Sequence, residues 1–465
     1  MKRGFVNRKS ELAFLEDHYT RDGFQFVPIY GRRRIGKTEL VKQFIKDKKG
    51  IYFLADTVAE KDQLKFLGRS IGEFFADFVI EEGGFSDWYS FFKYLRIKSA
   101  AFGEKLVLVI DEFPYLAQAN PAISSIFQKG IDEYLKETNI FLILLGSSVG
   151  MMEKEVLYYK APLYGRRSGS LKMGEMSFFE LRDFFPGRSI EEWVDIYTVC
   201  GMVPGYLDRC GDFKNFKDFL LKGVFDKGGF FYEEAEMALR ADFYEPRTYY
   251  SILRAIALGK TKLGEIMNET GLDKSKISKY LKVLQDLLIV EREVPVTEPN
   301  PERSKKGLFF IRDRYFNFWF RFVLGNKNYV EIGSFDRRFP AVREQIKTYQ
   351  GFIFEFICKQ YLLQNIARYG FDTIGRWWDR SAEIDLLAVD NEAGEFIAVE
   401  CKYQNKKAGI EVLESLKENI RRIDWRRSFT LRKIILFSRS GFTAGLEAVA
   451  LEAGNVELIA LKDMV

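Results

Sequence analysis

The residues with the most specific chemistry are Gly31-Arg32-Arg33-Arg34-Ile35-Gly36-Lys37-Thr38, followed by Glu39. They match GxxxxGK[ST] without a mismatch, between the apolar run Phe26–Tyr30 and a helical pattern opening at Glu39. Glycines let a backbone curl until successive N–H groups point at phosphate oxygens, and the positive end of the following helix adds to the attraction. Lys37 then reaches the β- and γ-phosphates of a nucleotide, and Thr38 ligates Mg²⁺. Residues 31–39 therefore read as a cradle for ATP with Mg²⁺.

A second run, Leu106-Val-Leu-Val-Ile-Asp111-Glu112, ends an apolar strand in two acids. Asp111 is expected to hold Mg²⁺ through water, and Glu112 to orient and deprotonate the attacking water. The 74 residues from Lys37 to Asp111 leave room for one extra strand, Ile51–Leu54. The strand pattern Leu142–Ser148 ends in hydroxyls, so Ser147 or Ser148 is placed to sense a γ-phosphate. In Tyr164-Gly165-Arg166-Arg167, either arginine could stabilise transition-state charge, in cis or from a neighbouring subunit of a homo-oligomer.

Near the other end, Asp385 lies on one strand pattern and Glu400-Cys401-Lys402 on the next, with Glu355 on a helical pattern upstream. With a period of two, Glu400 and Lys402 share one face, while Val399 and Cys401 share the other, buried one. Asp385 and Glu400 could bind one or two Mg²⁺ ions and activate water, and Lys402 could stabilise a pentacovalent phosphate. The bare pattern is common, so a domain that only binds nucleic acid or protein is the competing reading. From Cys401 to Ser440 there are eleven Lys or Arg against four Asp or Glu, a local excess of +7 suited to DNA or RNA.

Composition excludes several alternatives. His18 is the only histidine, which leaves no Ser-His-Asp triad and no multi-histidine zinc site. Cys200, Cys210, Cys358 and Cys401 form no metal-ligand spacing and read as buried apolar residues. The longest apolar run, Ile140–Leu145, is far short of a membrane span, and the charged first residues do not read as a signal peptide. No membrane partner is expected, and the location is expected to be cytoplasmic.

These groups need elements to hold them. Apolar runs at Phe26–Tyr30, Ile51–Leu54, Leu106–Ile110, Ile140–Leu145 and Gly169–Met173 alternate with helical patterns, which predicts a mostly parallel sheet covered on both faces. Residues 248–296 read as three short helices and a β-wing over Ile289–Val296. Gly271 breaks two helices, Asp273 caps the second, and Ile277, Leu281, Leu284 and Leu288 make its buried stripe. Lys274, Lys276, Ser278, Lys279 and Lys282 fall off that stripe, for contact with DNA or with a protein partner. The expected class is a multidomain α/β protein. Its parts are an ATP-binding core at 1–175, a helical lid at 176–245, a winged helix at 246–300, an aromatic connector at 301–348 and an α/β domain at 349–465.

The segments Phe5–Leu12, Gly31–Thr38, Val107–Leu116, Leu144–Met152, Pro162–Leu171 and Cys200–Leu207 stand in the order that resembles the archaeal-type P-loop ATPases, in the STAND branch near the AAA+ proteins. The likeness implies an additional-strand, catalytic-glutamate P-loop sheet. It also implies Arg8 near the adenine, Arg166 or Arg167 as an arginine finger, and Pro204 in a nucleotide-sensing lid. Cys200-Gly201 replaces the two glycines that many relatives carry. The C-terminal set resembles the PD-(D/E)xK nuclease fold of restriction enzymes and archaeal Holliday-junction resolvases. That likeness implies Asp385 and Glu400 as metal ligands, Lys402 as catalytic lysine and Glu355 as accessory ligand, although no proline precedes Asp385.

Overall fold

The computed structural model describes residues 5–243, 245–425 and 429–465. The chain forms two compact units. One holds the residues up to Met176 with Val203–Asp208, and the other holds Ser177–Met202 with Arg209–Val465.

The first unit is built on a parallel sheet of β1 (Gln25–Tyr30), β2 (Gly50–Leu54), β3 (Leu106–Asp111), β4 (Ile140–Gly146) and β5 (Leu171–Lys172), in the order β2-β3-β4-β1-β5. Strands β3 and β4 are buried at every residue, because helices cover both faces and neither face can alternate with water. On one face Phe26, Leu108, Ile110, Leu142 and Leu144 pack with the helices Glu60–Phe75 and Trp88–Ala100. On the other, Val27, Ile29, Val107, Val109 and Ile143 pack with the helices Lys9–Thr20 and Lys37–Ile45. The sequence places Ile51–Leu54 between the two motif strands. In space β4 separates β1 from β3, and β2 lies at the sheet edge beyond β3. Chain order and sheet order differ because parallel neighbours need crossovers that can skip a position.

The second unit contains a helix-turn-helix and an α/β domain. The helices Pro246–Ala257, Leu263–Thr270 and Lys274–Asp286 are followed by the antiparallel pair β6 (Val290–Glu293) and β7 (Leu308–Ile311). The wing therefore spans more chain than the expected Ile289–Val296. The polar stretch 294–307 is its loop. Arg292 folds that loop back by donating to the carbonyls of Pro301 (2.8 Å) and Ser304 (2.6 Å). The Asp273 carboxylate caps the second helix by accepting from Lys276 N at 2.9 Å. Ile277, Leu281 and Leu284 are buried, while Lys274, Lys276, Ser278, Lys279 and Lys282 are exposed.

A 30-residue helix, Phe335–Gln364, then leads into a sheet of β8 (Thr373–Trp378), β9 (Glu383–Asp390), β10 (Glu395–Lys402), β11 (Thr430–Ser438) and β12 (Val456–Ala460). The sheet order is β12-β11-β10-β9-β8, antiparallel across β8, β9 and β10 and parallel from β10 to β12. Both faces are covered, so the face shared by Glu400 and Lys402 is itself buried further along, at Phe396 and Ala398. No helix among the described residues is long and apolar enough to cross a membrane.

Candidate nucleotide and carboxylate sites

The loop between β1 and the helix Lys37–Ile45 is shaped by contacts that allow no side chain at its start. A Cβ on Gly31 would lie 2.5 Å from the Met173 carbonyl oxygen. Gly36, the residue before the helix, sits at φ +93°, where a side chain is strained. The result is a run of backbone N–H groups at a helix N-terminus, with Lys37 buried inside it. Lys37 Nζ donates to the carbonyls of Gly31 (2.8 Å) and Arg32 (3.0 Å). Arg8, itself 7% exposed, braces the loop from outside through Ile35 O (3.0 Å) and Gly174 O (2.8 Å). Arg32 approaches Glu175 at 3.4 Å, Gly205 N donates to Arg34 O at 3.2 Å, and Glu39 is exposed in the first helical turn. Pro204 also lies at the loop, 3.7 Å from where a Gly36 Cβ would be.

Asp111 is 1% exposed and held on both oxygens. Oδ2 accepts from Thr38 Oγ1 (2.7 Å) and from the Tyr52 hydroxyl (2.6 Å), and Oδ1 accepts from Glu112 N (2.8 Å). Burial, then the bond to Asp111, pushes the Tyr52 hydroxyl well above its ordinary range. Glu112 adopts φ +54°, a conformation uncommon outside glycine and common where strain serves a site. Its carboxylate accepts from Ser147 Oγ at 2.6 Å and from Ser147 N at 3.2 Å. Ser148 instead precedes the short helix Val149–Met152. Thr38 and Asp111 thus present paired oxygens beside a lysine and a helix N-terminus, a donor set that fits Mg²⁺ with a nucleotide phosphate.

The two arginines differ. Arg166 forks onto Asp132, with Nε at 3.1 Å and Nη2 at 2.7 Å, and also donates to Pro162 O at 3.2 Å. Arg167 lies over the Tyr164 ring at 4.5 Å and close enough to Tyr30 to oppose the upward push that burial and Glu153 give that hydroxyl. Tyr30 ends β1, immediately before Gly31.

The carboxylate cleft of the second unit has a volume of about 870 Å³ and is lined by Glu355, Asp385, Glu400 and Lys402. Asp385 Oδ2 accepts from Cys401 N at 2.8 Å, and Glu400 Oε1 pairs with Lys402 Nζ at 2.6 Å. Glu355 Oε2 is buried, accepts no hydrogen bond, and faces Arg376 Nε at 3.6 Å. Burial and then Asp385 push Glu355 up to about 8, and burial and then Glu400 push Asp385 up to about 7. Burial lowers Lys402, but Glu400 beside it more than compensates. Each acid is turned to its own partner, and among the described residues no three His, Cys, Asp or Glu side chains close into a metal-ligand group. The orphaned Glu355 oxygen beside two mutually repelling acids is still a donor set that a divalent cation would satisfy.

The basic run at 401–440 does not form one free face. Arg432 and Lys433 pair with Glu395 (3.5 Å) and Glu457 (2.9 Å), Lys417 pairs with Glu414 (3.0 Å), and Arg426 and Arg427 lie outside the described residues. The four cysteines are buried thiols, as their spacing implied. His18 is also buried, its Nδ1 2.8 Å from Phe14 O, and has no place in either site.

Residues 5–209 match the family model described as an ATPase domain predominantly from Archaea. Residues 250–292 match that of the bacterial regulatory protein arsR family, and residues 319–415 that of archaea bacterial proteins of unknown function. The uncharacterized protein MJECL04 of Methanocaldococcus jannaschii is 38% identical over 407 residues, 87% of this chain and 88% of that protein. The chain belongs to one family with MJECL04, and its residues 5–209 are an archaeal-type ATPase domain. The uncharacterized ATP-binding protein MJ0423 of the same organism is 51% identical over 45 residues, 10% of this chain and 76% of its own. Among solved structures, the Walker-type ATPase PABY2304 of Pyrococcus abyssi aligns with a TM-score of 0.52 over 69% of this chain and 99% of its own. Its 20% identity makes that a likeness of fold.

In this archaeal ATPase, sequence motifs supply the cradle but miss two side chains that hold the sites. Tyr52 carries no motif. Only the pairing of Leu54 with Asp111, in register between β2 and β3, brings its hydroxyl to Asp111. Arg376 was hidden in the same way, as one arginine among many until β8 set it beside Glu355.

Proposed function

We propose that this archaeal ATPase is a nucleotide-controlled switch whose second unit binds DNA through its helix-turn-helix and cleaves it, with Mg²⁺, at the carboxylate cleft. The observation that carries the ATP half is the Asp111 carboxylate bonded to Thr38, in the first turn of the helix that follows the glycine-flanked loop. Lys37 would withdraw from the Gly31 and Arg32 carbonyls to the β- and γ-phosphates, with Arg8 keeping the loop in shape. Mg²⁺, held by Thr38 and through water by Asp111, would supply charge neutralisation at those phosphates. Glu112, aimed by Ser147, takes a proton from the attacking water, and Arg167 is the better-placed transition-state cation. Arg166 has a standing partner in Asp132. Pro204 belongs to a segment that packs with the first unit and is continuous in chain with helices of the second. It is therefore the natural sensor of the loop's state.

In the cleft, Asp385, Glu400 and Glu355 would hold divalent metal, and Lys402 would stand against a scissile phosphate. The exposed lysines of the helix Lys274–Asp286 supply sequence-independent attraction to the DNA backbone. The test is Mg²⁺-dependent cleavage of supercoiled, single-stranded and branched DNA, with and without ATP, by wild type and by Asp385→Ala. Cleavage lost in the variant is the expected outcome. A second reading, a regulatory ATPase whose second unit binds DNA or protein without cutting, is favoured by the acids being turned to separate partners. Salt-sensitive DNA binding with no nicking on any substrate would establish it in place of the first.

A further inference from the structure

Arg376 faces the cleft from outside the motif residues. Its Nε lies 3.6 Å from Glu355 Oε2 and its Nη2 lies 3.5 Å from Glu383 Oε2, with only 18% of the side chain exposed. A guanidinium in that position supplies counter-charge to the Glu355 oxygen that accepts no hydrogen bond.

What positions Arg376 is the wing. Val296, in the wing loop, donates its N–H to Arg376 O at 2.9 Å. The neighbouring Gly375 leaves room for this approach, since even a Cβ there would come 3.3 Å from the Val296 Cβ. The guanidinium lies 5.6 Å from the centroid of Phe310 on β7 and 5.9 Å from that of Phe352 on the long helix. Leu308 and Lys262, also of the helix-turn-helix module, line the carboxylate cleft directly. A second cavity of about 610 Å³ opens between this module and the long helix, and Arg376 and Phe352 line both spaces. On β6, Glu291 Oε1 and Glu293 Oε2 are buried and accept no hydrogen bond. Packed interiors have few voids and few orphaned polar atoms. A roomy junction with unmet acceptors is one whose present packing is not its only good arrangement.

We propose that Arg376 is a wing-held counter-ion of the carboxylate cleft, displaced when a divalent cation binds beside Glu355, so that DNA shifting the wing and metal entering the cleft favour one another. This rests on the reading of the cleft as a metal site. The guanidinium and the cation compete for one carboxylate, so whatever loosens Val296 and Phe310 from Arg376 lowers the cost of its departure. By reciprocity, metal in the cleft must then tighten DNA on the wing.

The experiment is titration of Mn²⁺ into full-length, nucleotide-free protein, followed by electron paramagnetic resonance and calorimetry, with Asp385→Asn defining the cleft's share. Arg376→Gln is expected to tighten that share tenfold or more. A 20-base-pair duplex should tighten it about fivefold in wild type and leave Arg376→Gln unchanged. If Asp385→Asn abolishes a cleft site that Arg376→Gln leaves within twofold of wild type, the metal site stands and the counter-ion role is overturned. If duplex tightens Mn²⁺ equally in Arg376→Gln, the link through the wing is overturned. If no protein shows Asp385-dependent Mn²⁺, the reading of the cleft falls and this one with it. Should Arg376→Gln fail to fold, Phe310→Ala, which only loosens the guanidinium's seat, is expected to tighten Mn²⁺ about threefold, and no change there overturns the proposal.

Discussion

The phosphate loop and the carboxylate cleft handle buried charge in opposite ways. In the loop, Lys37 donates to two carbonyls of its own turn, and both oxygens of Asp111 accept hydrogen bonds from Thr38, Tyr52 and Glu112. In the cleft, Glu355 keeps an oxygen without a hydrogen bond, and burial with like charge holds Glu355 and Asp385 well above the carboxylate range. A site made from one continuous turn can satisfy itself with backbone groups. A site assembled from a helix and two strands brings fewer backbone groups within reach: Cys401 N bonds Asp385, but the Glu355 oxygen is left unmet, and the site stays tense until counter-charge arrives.

The largest expected effect tests the rigidity of the loop. Gly31→Ala drives a Cβ to 2.5 Å from the Met173 oxygen, a backbone atom that cannot swing away. ATP affinity, read by a fluorescent analogue, should fall at least about a hundredfold while Asp385-dependent Mn²⁺ binding is unchanged. Arg167→Ala should slow ATP turnover about a hundredfold at unchanged ATP affinity. Arg166→Ala should leave turnover near wild type and lower the melting temperature slightly, by the ~1 kcal/mol of its partly exposed pair with Asp132. The reverse assignment of effects would move the finger to Arg166.

Asp195 asks whether buried acids in the second unit are tense only where they serve the cleft. It accepts from Gln350 at 2.7 Å and feels Arg439, Arg343 and Glu192, yet burial pushes it from 3.8 up to about 6. The fold therefore favours the protonated form. The stability this contributes is complete below pH 3.8 and is lost as pH rises through about 6. Asp195→Asn should be more stable than wild type at pH 7, by up to about 3 kcal/mol, and should lack that slope in denaturant melts between pH 4 and 7. A variant no more stable at pH 7 would show that Gln350 and the arginines already meet the charge. The smallest effect is at Tyr52. Tyr52→Phe removes one of two bonds to Asp111 Oδ2, so affinity for ATP with Mg²⁺ should weaken about tenfold, with ATP in chelator unaffected.

Much of the first unit was legible in the sequence. Its glycines, lysine and threonine are consecutive, and their meaning depends on local backbone geometry. The strands buried on both faces read as unbroken apolar runs for the same reason they are covered. The helix-turn-helix was legible through its stripe and cap. Its wing was legible only in its first strand, because the loop between β6 and β7 is long and polar, and Arg292 tucks it back by contacts with no local signature. The sheet order was also hidden: strand patterns reveal that β2 exists but not that it sits at the edge, beyond β3. The basic run 401–440 looked like one patch, whereas pairing with Glu395, Glu414 and Glu457 divides it.

The sequence by itself determined the phosphate cradle, the two acids after β3 and the presence of an Asp with a Glu-x-Lys on neighbouring strands. Local chain geometry is enough to give those residues their meaning. Only the tertiary structure decided that Tyr52 supports Asp111, that Arg166 is engaged by Asp132, and that Arg376, gripped by the wing, faces Glu355. Those relations depend on strand order and on packing between elements far apart in the chain, where electrostatics acts on distance in space and sequence spacing carries no record of it.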